Sequence, residues 1–186
     1  MNEDSLMRKV LYILGGLDDN DVEWLISCGE RRRLSTGEVL IREGDMIEAL
    51  YILLEGELAA SVRTHEGARE LGRMAVGDMV GEVSLVDDRP ASASVTVVRD
   101  AHVLVIPRSA LLKKLETEVG FAARFYHAVA QLLSYRLRDN TALIAGGGSP
   151  PVPELEKEED LLGLDVLDNV HMAGQRFSRI MRRLAG

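Results

Sequence analysis

The sequence predicts a mainly β fold bracketed by helices. Between residues 30 and 107, short runs rich in Val, Leu and Ile alternate with glycines at Gly37, Gly44, Gly56, Gly67, Gly72, Gly77 and Gly81. Turn signals at that spacing specify a sandwich, barrel or jelly roll rather than βαβ units. On either side the apolar positions fall three and four apart, which is helical periodicity. With 46% apolar and 28% charged residues in a chain of 186, a core is available without disulfides or metal.

Residues 1–29 read as helical. Leu6, Val10, Leu11, Ile13 and Leu14 form an apolar face that Gly15-Gly16 stops, and Asp18 or Asp19 offers an N-cap before Val22, Trp24, Leu25 and Ile26. Strands are expected at 38–41, 49–54, 57–63, 70–74, 92–98 and 102–106, and Pro107, which cannot donate to a ladder, closes the β zone. Ser109 can cap a short helix through Leu115. A longer helix follows Gly120, with Phe125, Val129, Leu132, Leu133 and Leu137 along one side. Such a stripe packs on its own domain or pairs with a second copy. Pairing is the expectation, a homodimer through residues 120–145, and residues 30–145 are taken as one unit.

The run Gly146-Gly147-Gly148-Ser149-Pro150-Pro151-Val152-Pro153 then breaks all periodicity. With the acidic stretch up to Asp160 it is expected to be a linker over 146–160. Residues 161–186 follow as a tethered amphipathic helix. Val166, Val170, Ala173, Phe177, Ile180 and Leu184 make its seam, and Arg176, Arg179, Arg182 and Arg183 lie in its second half. Docking of the 161–184 helix on a partner protein is expected, ahead of self-packing and of membrane contact.

Several chemistries are excluded. Cys28 is the only cysteine, so no disulfide framework or multi-cysteine metal site exists, and with no basic neighbour in sequence its thiol reads as inert. The four histidines lack metal-ligand spacing, and Asp87-Asp88 read as acidic turn residues. No nucleophile–base pairing stands out, so no enzyme is expected. Net charge is −8, which does not favour nucleic acid. No apolar run is long enough to cross a membrane, and Met1-Asn2-Glu3-Asp4 lacks a basic signal start, so a cytoplasmic location is expected. Trp24 and Tyr51 read as packing residues. Tyr126 and Tyr135 read as surface or dimer packing ahead of base stacking.

The segment from Gly77 to Val95 carries the most chemistry. Gly81 permits close backbone approach, and Val83, Ser84 and Leu85 would open a helix whose free N–H groups face an anion. Glu82 at that mouth is an acceptor suited to a ribose hydroxyl, and Ser92 and Ser94 offer hydroxyls on the far wall. An empty β-corner is the bland alternative.

Residues 6 to about 143 resemble the cyclic nucleotide-binding domain of catabolite-activator-type regulators, protein kinase A regulatory subunits and nucleotide-gated channels. The likeness rests on Ile41-Arg42-Glu43-Gly44-Asp45, on Tyr51-Ile52-Leu53-Leu54-Glu55-Gly56-Glu57, and on Gly81-Glu82-Val83-Ser84-Leu85 followed by Arg89-Pro90-Ala91-Ser92-Ala93-Ser94-Val95. It implies a β jelly roll with a long helix behind it and, as possible ligand, cyclic AMP or cyclic GMP, with no resident cofactor. Glu82 matches the residue that takes the ribose 2′-hydroxyl. Gly81, Val83 and Ser84 match the backbone around ribose and phosphate, and Ser92 the hydroxyl after the cassette arginine. Asn140 and Thr141, with Arg136, match the end of the long helix that covers the base.

One departure matters. The phosphate-clamping arginine should stand at position 91, which is Ala91. Hydrogen bonds to charged groups contribute about 1.5–3 kcal/mol, so its loss should weaken binding roughly ten- to a hundredfold. Arg89 is the candidate substitute, although Pro90 stiffens the chain between them. Roughly forty residues follow Ile144, and they hold a linker and one helix. A helix-turn-helix needs more, so DNA is not an expected partner. The expected function is a non-enzymatic sensory module that passes ligand binding through the long helix. The alternative is a ligand-free adaptor that uses the fold for assembly.

Overall fold

The computed structural model describes residues 14–144 and 164–184. The helix expected before Leu14 and the linker expected over 146–160 lie outside the described residues. Helix α1 (Asp19–Cys28) opens on a reciprocal capping box. Asp18 Oδ1 accepts from the Asp21 N–H and Asp21 Oδ2 from the Asp18 N–H, both at 2.9 Å. Strands β1 (Glu30–Leu34), β2 (Val39–Ile41), β3 (Ala49–Thr64), β4 (Gly67–Met74) and β5 (Met79–Val80) follow, then the short helix α2 (Glu82–Asp87) and strand β6 (Ser94–Pro107). The order is β1-β6-β3-β4, with β2 also on β6 and β5 also on β3, and every pairing is antiparallel.

Strands β3 and β6 are the frame. They pair from Ala49 opposite Pro107 to Ser61 opposite Ser94. Side chains alternate across them as the pleat requires. Leu50, Ile52, Leu54, Leu104 and Ile106 face the helices, while Leu53, Leu58, Val97 and Val103 face a second cluster with Leu34, Ile41, Val80 and Val95. Helices α3 (Arg108–Thr117), α4 (Val119–Ile144) and α5 (Leu164–Leu184) join α1 on the first side. There Trp24 meets Phe121 edge-on at 5.4 Å, with the Lys114 ammonium 5.3 Å and 5.5 Å from the two ring centres. Tyr51 is half-buried, and the Arg32 guanidinium lies 5.9 Å from its ring. Burial pushes the Cys28 thiol up to about 11, which keeps it protonated at neutral pH.

The structure differs from the sequence reading at several elements. Residues 49–54 and 57–63 lie in one strand, and 92–98 and 102–106 fall largely within another. Gly56 is no hairpin turn: at φ +96° it sits where the β3–β6 register shifts, and a Cβ there would fall 2.4 Å from the Asp100 carbonyl oxygen. It is a bulge that bends both strands together. Strand β1 escaped notice because Arg31, Arg32 and Arg33 carry no apolar alternation; β6 recruits it as an edge. Ser109 caps nothing, since α3 starts at Arg108 directly after Pro107 and has no side-chain cap.

Two helix faces expected to meet partners lie largely within the chain's own core. Of the α4 stripe, Phe125, Val129 and Leu132 are buried in the chain's own core with Leu133 packed beside them, and only Leu137 stays exposed, at 68%. Most of that stripe therefore serves the chain's own core, and Tyr126 and Leu137 are among the apolar side chains that α4 leaves exposed. The α5 seam is covered too. Ala173 and Ile180 are wholly buried, with Phe177, Met181 and Leu184 packed around the same cluster. Arginines fix the placement. Buried Arg176 donates to Asp19 Oδ1 at 2.9 Å and to the Leu14 carbonyl at 2.8 Å, while Arg179 donates to Asp19 Oδ2 at 3.0 Å. The helix expected to hold a partner protein instead docks on α1 of its own chain.

Asp19 carries a pH signature. Hydrogen bonds from Arg176, then Arg179, hold its carboxyl below the ordinary value of 3.8, so the contact adds stability above that pH and loses it as pH falls through the lowered value. Arg176→Ala should cost about 1–3 kcal/mol, with the exposed Arg182→Ala nearly neutral. In denaturant titrations the Arg176→Ala gap should narrow below about pH 4; a gap unchanged with pH would contradict the Asp19 contact.

Candidate functional site

The cassette grows out of a turn that only glycine can make. Gly81 closes β5 at φ +95° and caps α2, and a Cβ on it would press the Ile47 Cδ1 at 3.0 Å and the Ala49 carbonyl oxygen at 3.1 Å. The next side chain, Glu82, is thereby turned inward and is 1% exposed. At the far end of α2, Asp88 takes up φ +54° and accepts from Arg108 at 2.6 Å. The acidic pair thus ends a helix and anchors it to α3, and no cluster of metal-ligating side chains occurs among the described residues.

A cavity of about 380 Å³ opens beside α2, at the low end of the volumes that hold small ligands. Its walls are the cassette, strands β2 to β6 and residues 132–137 of α4, with Ile41, Ile47, Leu71, Val80 and Leu132 among the apolar lining. Glu82 and Arg136 meet at one end. Arg136 Nη1 donates to Glu82 Oε1, and Nη2 donates to the Met79 carbonyl at 2.6 Å. Glu82 Oε2 is buried and accepts no hydrogen bond. Burial pushes the Glu82 carboxyl above its ordinary value; the Arg136 charge opposes that rise and the nearby Asp78 adds to it.

The structure separates the sequence candidates. Gly81, Glu82, Val83, Ser84, Ala91 and Ser92 all line the cavity. Ala91 is buried, its N–H donating to the Asp45 carbonyl and its own carbonyl accepting from the Gly44 N–H, each at 2.8 Å. The loop before β6 is thus pinned at the position where a guanidinium was expected. Arg89 is exposed and absent from the lining, its N–H held by Asp87 Oδ1 at 3.1 Å, so it does not stand in for that guanidinium. Ser94 is also outside the lining, and its hydroxyl accepts the Glu43 N–H at 3.0 Å. Thr141 is exposed and donates to the Leu137 carbonyl of its own helix. The Asn140 side chain lies outside the described residues. Tyr135 lines the cavity, as does Arg73, which sequence reasoning passed over because nothing in a strand's pattern marks which exposed arginine borders a site.

Among the described residues the arrangement offers a buried carboxylate, a guanidinium joined to it and an apolar wall. Gly81→Ala should lower stability by more than about 2 kcal/mol, because the left-handed conformation and the Ile47 contact add. Gly37, at φ +87° with nothing within 4 Å of a Cβ, is the control. Gly37→Ala should cost only about 1–2 kcal/mol. Equal losses in thermal melts would remove the packing argument.

Comparison with known proteins agrees with this geometry. The family model described as the cyclic nucleotide-binding domain matches residues 31–118. The chain is similar to the cyclic AMP receptor protein of Thermus thermophilus, 33% identical over 129 residues, covering 67% of this chain and 56% of that protein. It is 32% identical over 130 residues to a cAMP-dependent protein kinase regulatory subunit of Hypocrea atroviridis, covering 66% of this chain and 27% of that one. The crystal structure of a cyclic nucleotide-binding domain from Methylobacillus flagellatus superposes with a TM-score of 0.67 at 23% identity, covering 77% of this chain and 84% of that one. The chain therefore spans about half, or less, of the curated relatives it matches. Its antiparallel sheet, bulged long strands and glycine-turned cassette are those of a jelly roll, and residues 31–118 belong to the cyclic nucleotide-binding domain family.

Proposed function

We propose that this chain is a non-enzymatic regulatory module in which a small ligand, a cyclic nucleotide or a relative of one, enters the cassette cavity and competes with Arg136 for Glu82. The observation that carries the reading is the Glu82–Arg136 pair. It joins the cassette to a helix 54 residues away in sequence, so whatever displaces Arg136 also frees the last turns of α4. The effect is a population shift, because the ligand favours the arrangement in which Glu82 is released to it. The outer side of α4, where Tyr126 and Leu137 are exposed, is then the surface whose position changes. That no described helix is long and apolar enough to cross a membrane is compatible with this role.

Ala91 supports a second reading, an adaptor that keeps the fold and takes no ligand. Calorimetric titration with 3′,5′-cyclic AMP and cyclic GMP separates the two when run beside Ala91→Arg. A sensor without its clamp should gain about ten- to a hundredfold in affinity from the restored guanidinium. If neither chain evolves heat with either nucleotide, the adaptor reading takes over. A further expected outcome concerns the helix itself. Arg136→Met should speed amide exchange over residues 130–144 several-fold while leaving β3 and β6 protected. Unchanged exchange would mean that the pair does not hold α4.

A further inference from the structure

The cavity is built against anions, and that narrows the class of ligand. Position 91 presents a buried methyl group, and its N–H is already given to the Asp45 carbonyl, so the inner wall offers no donor there. The cations that line the cavity among the described residues are Arg73 and Arg136, and both have carboxylate partners. Arg73 donates to Glu70 at 2.9 Å and to Glu57 at 3.1 Å, and Arg136 is joined to Glu82. Asp78 and Glu82, both buried, add carboxylates to the same lining. An entering phosphate or carboxylate would lose its hydration, meet no uncommitted positive charge and face these like charges.

What Glu82 lacks is a second donor. Glu82 Oε2 is sealed from water and accepts nothing, an unmet demand that a single O–H or N–H would satisfy. The remaining lining carries the hydroxyls of Ser84, Ser92 and Tyr135, and its apolar part is largely aliphatic, with Ile41, Ile47, Val80 and Leu132 among its walls. We infer that this cavity takes an uncharged, largely apolar ligand whose hydroxyl donates to Glu82 Oε2. The inference rests on reading the cassette as a ligand site and replaces the charged member of the proposed ligand class with a neutral one.

The test is titration of the full chain at neutral pH with three compounds that share one alkyl body: 1-octanol, 1-methoxyoctane, which has no donor, and octanoate, which is charged. Cyclic AMP and the Ala91→Arg chain are run in parallel. The alcohol should bind about ten- to a hundredfold more tightly than the ether or the carboxylate. Glu82→Met should remove the alcohol's advantage over the ether. Ala93→Phe, which fills the cavity from its other wall, should abolish binding of both, so the result does not hang on one variant's folding. Octanoate or cyclic AMP binding the natural chain as tightly as the alcohol overturns the inference and leaves a ligand site standing. So does an inert alcohol while Ala91→Arg takes up cyclic AMP. Silence toward every compound from both chains overturns the inference and the ligand reading together.

Discussion

The pairing of β3 with β6 is the constraint on which the rest of the molecule depends. Neither strand has a stable position alone, yet together they present two apolar faces at once, because alternate side chains leave a pleated strand on opposite sides. One face, with Leu50, Ile52, Leu104 and Ile106, gathers the described helices, Leu85 of α2 included. The other, with Leu53, Leu58, Val97 and Val103, closes over the interior beside the cassette. A register error of one residue would exchange the two faces and expose both clusters. The bulge at Gly56 curves this double-sided ladder, so that strands far apart in sequence can meet around one cavity.

Within that frame the cassette trades solvation for attachment. Burying the Glu82 carboxylate is costly, and a guanidinium from α4 offsets the cost only in part, leaving one oxygen without a donor. On the proposed function, Arg136 and an entering ligand are the two partners that compete for this carboxylate. The fold family sets the place of Glu82, but the aliphatic Ala91 and the committed state of Arg73 and Arg136 give the cavity its own character.

Much of this was legible in the chain, and the exceptions have physical causes. The Gly81-Glu82 corner was readable because a left-handed turn followed by a helix start leaves few residue choices. The Asp18 cap was readable because capping is local. Gly56 misled because glycine marks bulges and hairpins alike. Strand β1 was hidden because an edge strand can be charged on every central position when its partner supplies the pairing. The destinations of the α4 stripe and the α5 seam could not be read, since an apolar helix face has the same pattern whether it covers its own domain or another. Ile180 in the core and Leu137 in solvent each stand four residues from a leucine of the same stripe, and only the tertiary arrangement distinguishes them.

The docking of α5 on α1 has a consequence for how the chain is made. Arg176 and Asp19 are 157 residues apart, so on a ribosome the acceptor surface is finished long before the helix that covers it exists. At ordinary elongation speeds that interval is on the order of 10–30 seconds. Throughout it, the apolar ground later occupied by Ala173 and Ile180 stands open to water, to chaperones and to other nascent chains. Asp19 and Glu23, lying beside that ground, give the uncovered surface a negative border. The same acids later receive the arginines of α5.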